Sequence, residues 1–174
     1  KLEPIVWFEE VVKTHQTISP HIHHTQVVTC PDLNEELGGK YIFKPESLQI
    51  TGSFKGRGAL SAISRLSKDQ LKHGVVAYSS GNHAQGVAHA AKLFNTPAIV
   101  VMPKDAPVKK IENAKTLGAK VVFYDRTKDS REQMAAEIAQ EKNLTLIKPY
   151  DSLETIFGQA TAAYEVIHDV NNPK

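Results

Sequence analysis

Cysteine is nearly absent from this sequence. Cys30 is the single one in 174 residues, so no internal disulfide can form, and the chain reads as built for a reducing compartment, the cytoplasm. Charge imbalance is lacking too. The 21 basic and 19 acidic side chains leave a formal charge of +2, without the concentrated basic footprint of a nucleic-acid-binding protein. No apolar run approaches the roughly 18 residues that a membrane-spanning helix needs. The start, Lys1-Leu2-Glu3-Pro4-Ile5, has no signal-peptide stretch. Low-complexity segments and long linkers are missing, as is any Gly-x-Gly-x-x-Gly. The spacing of Gly81 and Gly86 imitates a phosphate-binding loop, but Val87 stands where its lysine belongs. These absences exclude nucleic-acid-binding and membrane-spanning classes. What is present, 41% hydrophobic and 23% charged residues, describes a soluble intracellular protein with a substantial core, an enzyme or part of one.

The hydrophobic period changes repeatedly along the chain. Short apolar runs at Val75–Tyr78, Pro97–Met102, Ala119–Tyr124 and Leu144–Ile147 predict strands. Between them, Ala84–Phe94, Val108–Leu117 and Arg131–Lys142 carry apolar residues at helical spacing, with Ser130 as an N-cap and Gly118 at a C-terminal cap. Strands apolar on both faces and joined by helices predict a parallel sheet covered on each side, an open doubly wound α/β (αβα) fold. Ligands in such sheets sit beyond the carboxyl ends of the strands, which points to Ser79-Ser80-Gly81-Asn82-His83. The flanks predict helices at Pro4–Gln16 (Ile5, Phe8, Val12 and possible partner Val11 on one face), Asp32–Leu37, Phe54–Leu66 and Leu153–Val170, and a strand at Tyr41–Lys44. The expected organisation is residues 1–73 as the leading part of a larger domain, 74–148 as a small αβα domain, and 149–174 as a return to the larger one.

The segment Ser53-Phe54-Lys55-Gly56-Arg57-Gly58-Ala59 is chemically odd. Glycines in the first turns of a helix cost about 1 kcal/mol each relative to alanine, and a lysine there faces the positive end of the helix dipole. Both costs make sense if the glycines admit a flat ligand and if Lys55 is to be partly neutral, since an uncharged amine can condense with an aldehyde and then act as a base. The competing reading is a surface lysine in a softened helix start. The Ser79–His83 loop offers backbone amides that suit a carboxylate or phosphate, with Gly81 permitting close approach; the competing reading is an ordinary turn capped by serine.

Together, Lys44-Pro-Glu-Ser-Leu-Gln49, Thr51-Gly-Ser-Phe-Lys-Gly-Arg-Gly-Ala59, Ser79-Ser-Gly-Asn-His-Ala-Gln-Gly86 and Gly158-Gln-Ala-Thr161 resemble the pyridoxal-phosphate enzymes of fold type II, in the branch of serine racemase and threonine/serine dehydratase. The resemblance runs over nearly the whole chain. It implies that Lys55 carries pyridoxal 5'-phosphate as an internal aldimine and later takes the substrate α-proton. It further implies that Phe54 packs on the pyridine ring, that Asn82 hydrogen-bonds the ring oxygen, and that Ser79, Ser80, Gly81, Asn82 and His83 grip the carboxylate of an amino-acid substrate. Ser80 matches the residue that serves the opposite face of the α-carbon in racemases. The implied reaction is elimination from L-threonine or L-serine to 2-oxobutanoate or pyruvate with ammonia. The alternative within the family is racemisation, and the alternative of another class is a non-catalytic remnant or interaction module.

The resemblance also sets expectations for what is not in the chain. The glycine-rich loop for the cofactor phosphate and the divalent-metal ligands of a full-length member would lie past Lys174. The sequence therefore reads as the N-terminal half of such an enzyme, weakly active or inactive alone, with exposed apolar surface and assembly into a dimer or tetramer when complete. Ser47 stands where the family usually has Asn, and Gly56 where a larger residue is commoner, which predicts loosened packing beneath Lys55. Elsewhere, His15 and His21-Ile22-His23-His24 read as polar surface rather than a metal site. Lys104, Lys109 and Lys110 read as a solvated face, Cys30 lacks an activating group, and His83 reads as a helix-start amide rather than a general base.

Overall fold

In the computed structural model the described residues run from 4 to 171. Helix α1 (Pro4–Ile18) leads through a 3-10 turn (Ser19–His21) to the short α2 (Pro31–Glu36). A second 3-10 turn (Glu46–Leu48) precedes α3 (Lys55–Ser64) and α4 (Lys68–His73). Strand and helix then alternate as β1 (Val75–Tyr78), α5 (Asn82–Leu93), β2 (Ala98–Pro103), α6 (Val108–Thr116), β3 (Lys120–Tyr124), α7 (Arg131–Lys142) and β4 (Thr145–Leu146), and α8 (Leu153–Asn171) follows.

The four strands are parallel and ordered β3-β2-β1-β4. Their alternate residues face two separate cores, as a pleat of period two requires. Val75, Ala77, Val100 and Met102 pack with Ala84, Val87, Ala88 and Ala91 of α5 and Ala114 of α6. Val76, Tyr78 and Val101 pack on the other face with Met134, Ala135 and Ile138 of α7. Val75, Val76, Val100 and Val101 are all 0% exposed, and burying each contributes about 1.5–3 kcal/mol. The chain is thus the doubly wound parallel α/β sheet that the alternation predicts. From β1 it steps outward to β2 and β3, then returns to lay β4 on the far side of β1. That reversal opens a crevice between the carboxyl ends of β1 and β4.

Local signals account for the helix ends. Ser130 accepts the Gln133 N–H at the start of α7, Gly118 follows α6 at φ 92°, and Asn143 ends α7 in the left-handed region at φ 51°. Helix α4 was not predicted. It is held by a reciprocal capping box in which the Ser67 hydroxyl accepts the Gln70 N–H and the Gln70 side chain accepts the Ser67 N–H.

Two expectations fail. Tyr41–Lys44 makes no strand. Only Phe43 pairs, in a single antiparallel bridge with Val28, because Pro45 has no N–H to extend the ladder and the opposite chain enters α2 at Pro31. In α1 the buried face is Val11, Thr14 and Ile18, while Phe8 is 55% exposed; the helix turns this face toward α3 and α8. The side chain of Ile5 lies outside the described residues.

Candidate active site

Lys55 is the first residue of α3, and its amine lies at the crevice. Its Nζ donates to the Pro149 carbonyl at 2.8 Å and stands 5.2 Å from the centroid of the Phe54 ring. Ser53 Oγ accepts the Lys55 N–H. Burial pushes the Lys55 amine below the ordinary lysine value, the direction that a condensing amine requires. Phe54 is exposed at 42%, leaving its ring available as a platform.

The glycines around Lys55 are positions of close backbone approach. A Cβ on Gly56 would sit 2.7 Å from Thr51 Oγ1, and one on Gly58 would be 3.0 Å from Gln159 and Thr155. A Cβ on Gly158 would sit 2.5 Å from the Arg57 carbonyl, and one on Gly86 would sit 3.1 Å from that of Lys55. Gly58, Gly86 and Gly158 let α5 and α8 press directly on the backbone of α3. The packing beneath Gly56 is therefore tight, not loosened.

The Ser79–His83 loop leaves the end of β1, where the Ser79 N–H still donates to Val101. Ser79 Oγ accepts the Gly81 N–H at 3.1 Å, so that amide is already used. The first bond of α5 is Gln85 N–H to the Gly81 carbonyl, 3.3 Å. The amides of Asn82, His83 and Ala84 lie ahead of it with no helical acceptor, as at any helix start. Asn82 is exposed and Ser80 half-buried. Asn82 lies one turn before Gly86 on the face of α5 that meets Lys55.

His83 is 3% exposed. Its Nε2–H donates to the Ile147 carbonyl at 3.0 Å across the crevice, which leaves Nδ1 a bare acceptor with no partner. Burial, with the Lys55 charge adding to it and the Ile147 bond opposing, lowers its pKa to about 4. The side chain is therefore a neutral strut, which the expectation of an amide-only role did not include. With it, three successive carbonyls after β4 are all taken by side chains from three helices. Ile147 accepts from His83 of α5, Lys148 from Thr155 of α8 at 3.0 Å, and Pro149 from Lys55 of α3.

Two contributors escaped the sequence reading. Lys110 does not lie on a solvated face. It is half-buried, and its Nζ lies 2.8 Å from where a Gly81 Cβ would stand, so the space above that glycine holds an ammonium. Arg57 is 0% exposed and sits between two carboxylates. It donates through Nε and Nη2 to Glu46, and through Nη1 and Nη2 to Glu165, each at 2.8 Å. Lys44 Nζ is 2.7 Å from Glu165, and His15 is 3.1 Å from it. Burial pushes the Glu165 carboxyl up, but the Arg57 and Lys44 hydrogen bonds and charges outweigh it and hold the pKa at about 2. The signal was an arginine set among glycines and alanines in a helix with no polar face.

The other candidates disperse. His23 bonds the Leu48 carbonyl, His24 pairs with Asp169, and His21 lies against Phe94. Among the described residues no cluster of three or more His, Cys, Asp or Glu is placed to hold a metal ion. No helix among them is long and apolar enough to cross a membrane. Clefts of about 350 and 380 Å³ lie elsewhere, lined by neither Lys55 nor the Ser79–His83 loop.

An open parallel sheet thus carries a partly desolvated lysine and a bare helix start beside its switch point. The model of the pyridoxal-phosphate dependent enzymes matches residues 18–174, and the chain belongs to that family. It is 46% identical over 160 residues to an L-threo-3-hydroxyaspartate ammonia-lyase of Pseudomonas sp, covering 92% of this chain and 50% of that protein. It is 38% identical over 166 residues to an L-threonine ammonia-lyase of Thermotoga maritima, covering 95% of this chain and 41% of that protein. The structure of maize serine racemase superposes with a TM-score of 0.90 at 38% identity, over 94% of this chain and 50% of that one. The chain spans about half the length of these relatives.

Proposed function

We propose that this chain is the lysine-bearing part of a pyridoxal-phosphate-dependent ammonia-lyase acting on a 3-hydroxy amino acid. The observation that carries the reading is that the partly desolvated Lys55 amine and His83, at the start of α5, bond carbonyls only two residues apart, those of Pro149 and Ile147. The residues fit the cofactor's aldehyde end: an amine of lowered pKa, an exposed aromatic ring beside it, and an amide side chain, Asn82, on the facing helix. When bound, pyridoxal phosphate supplies the electron sink for the α-carbon.

This chain's own residues then hold and move the rest. Lys55 takes the α-proton of the substrate. The amides of Asn82, His83 and Ala84, with the hydroxyls of Ser79 and Ser80, orient the α-carboxylate. The substrate's β-hydroxyl leaves as water, and the resulting enamine takes up water to yield the 2-oxo acid and ammonia. L-threonine gives 2-oxobutanoate and L-serine gives pyruvate.

Racemisation is the second reading, favoured by the half-buried Ser80 at the loop beside Asn82. A keto-acid assay beside a chiral assay for D-serine separates the two: a Ser80→Ala loss far larger for D-serine than for the keto acid identifies Ser80 as the second base. The test of the main reading is borohydride reduction after addition of pyridoxal phosphate, followed by peptide mapping. A pyridoxyl group on Lys55 supports it. No label on Lys55, even with a complementary C-terminal half supplied in trans, leaves the interaction-module reading. We further propose cytoplasmic residence, and self-association of the complete enzyme through exposed apolar side chains such as Tyr41, Ile42, Phe43 and Leu48.

A further inference from the structure

We propose that His83 is a positioning residue for Lys55: acting through segment 147–149, its ring fixes the carbonyl on which the amine rests and so sets the amine's reactivity toward an aldehyde. The inference rests on the lysine site proposed above and names the group that aims it. Among the described residues the Lys55 amine has one hydrogen-bond partner, the Pro149 carbonyl at 2.8 Å. The sheet does not set where that carbonyl stands. Sheet pairing ends with the Ile147 N–H on the Val76 carbonyl, 2.8 Å. From Ile147 onward each carbonyl accepts from a side chain instead: Ile147 from His83 at 3.0 Å, Lys148 from Thr155 at 3.0 Å, and Pro149 from Lys55 and, at 3.4 Å, from Gln159. Thr155 and Gln159 both belong to α8. Among the described residues His83 supplies the only hydrogen bond to this segment from α5, two residues before the lysine's acceptor.

A histidine in this place is costly. Its Nδ1 is the one buried side-chain nitrogen or oxygen among the described residues with no partner, and an orphaned polar atom costs stability that an apolar side chain of similar size does not. What the ring gains in return is the single bond to Ile147. The backbone of the same residue lies in the first turn of α5, so one position joins the amide-rich loop to the segment that carries the lysine's acceptor. Reactivity is where such a hold is felt, because a displacement of about an ångström in a reacting group can cost roughly a hundredfold in rate.

The test is the rate at which pyridoxal phosphate labels Lys55, relative to the exposed Lys115 of the same molecule. Condensation releases one water per label, borohydride fixes the product as a secondary amine, and peptide mapping reads each lysine. His83→Leu removes the donor at similar volume and is expected to lower the Lys55-to-Lys115 ratio by roughly ten- to a hundredfold. His83→Gln restores an N–H at similar reach and is expected to recover most of that loss. His83→Asn, whose amide is too short to reach Ile147, is expected to fall with His83→Leu and replaces it if circular dichroism shows that variant unfolded. An unchanged ratio in either folded variant, with Lys55 still labelled in the wild-type protein, overturns this inference and leaves the lysine site standing. An equal loss in His83→Leu and His83→Gln also overturns it, since the fit of the ring and not its bond would then be at work. No label on Lys55 in the wild-type protein, with or without a complementary C-terminal half, refutes the lysine site itself, and the inference falls with it.

Discussion

Arg57 and Glu165 face each other across the crossing of α3 and α8 through two parallel hydrogen bonds, Nη1 to Oε1 and Nη2 to Oε2, each 2.8 Å long. Arg57 is two residues from Lys55, so the pair anchors the turn that aims the amine. Removing one partner strands the other charge in a site closed to water, at a cost of about 3–5 kcal/mol. Arg57→Met and Glu165→Ala are each expected to lower stability by that order in urea unfolding. A loss under about 1 kcal/mol would show that the pair carries little of the fold.

Gly158 and Gly118 separate close approach from backbone conformation. A Cβ on Gly158 would stand 2.5 Å from the Arg57 carbonyl and 2.7 Å from the Gly58 Cα, so Gly158→Ala must push α8 off α3. Overpacking of this kind costs about 1–3 kcal/mol. Gly118 has open space but φ 92°, so Gly118→Ala is expected to cost about 1 kcal/mol through backbone strain alone. Thermal unfolding read by circular dichroism measures both. Gly158→Ala alone should also weaken labelling of Lys55.

Acid should destabilise the protein in two stages. His83 is neutral when folded down to about pH 4, whereas the unfolded chain binds that proton near 6.5. Stability therefore falls as pH drops from 6.5 toward 4, by on the order of 3 kcal/mol. Glu165, at about 2 when folded, contributes stability that is full above its unfolded value of 4.5 and fades as pH drops toward 2. Urea midpoints at a series of pH values follow the loss. His83→Gln is expected to flatten the first stage while leaving the second, and a wild-type slope in that variant would contradict the assignment.

Lys55 should react with aldehydes at a lower pH than the exposed lysines, because burial lowers its amine. Limiting pyridoxal phosphate, borohydride and peptide mapping across a pH series give the comparison. The labelled fraction on Lys55 is expected to lead at neutral pH and to converge with Lys109 and Lys115 only in alkali. Equal labelling at every pH would remove the argument for a pre-set amine.

Much of this was legible in the sequence because it is local. The βα alternation, the Ser130 cap, the glycine after α6 and the lysine at a helix start all declare themselves within a few residues. What stayed hidden depends on chain path. The Arg57 partners lie at positions 46 and 165, too far along the chain for any spacing rule. Lys110 reads as one more surface lysine until the orientation of α6 turns it over Gly81. Tyr41–Lys44 has strand composition, yet its pairing depended on whether the neighbouring segment could continue past Cys30.

The carbonyls of residues 147, 148 and 149 hold side chains from α5, α8 and α3 in turn, with Gln159 of α8 adding a longer bond to the last. Such hooks belong to the main chain, so ordinary replacements at these three positions do not remove them. Mutational drift there should prove mild as long as the path of the polypeptide is kept. A one-residue insertion or deletion between β4 and α8 would shift every hook at once, misplacing His83, Thr155 and Lys55 together while each keeps its identity.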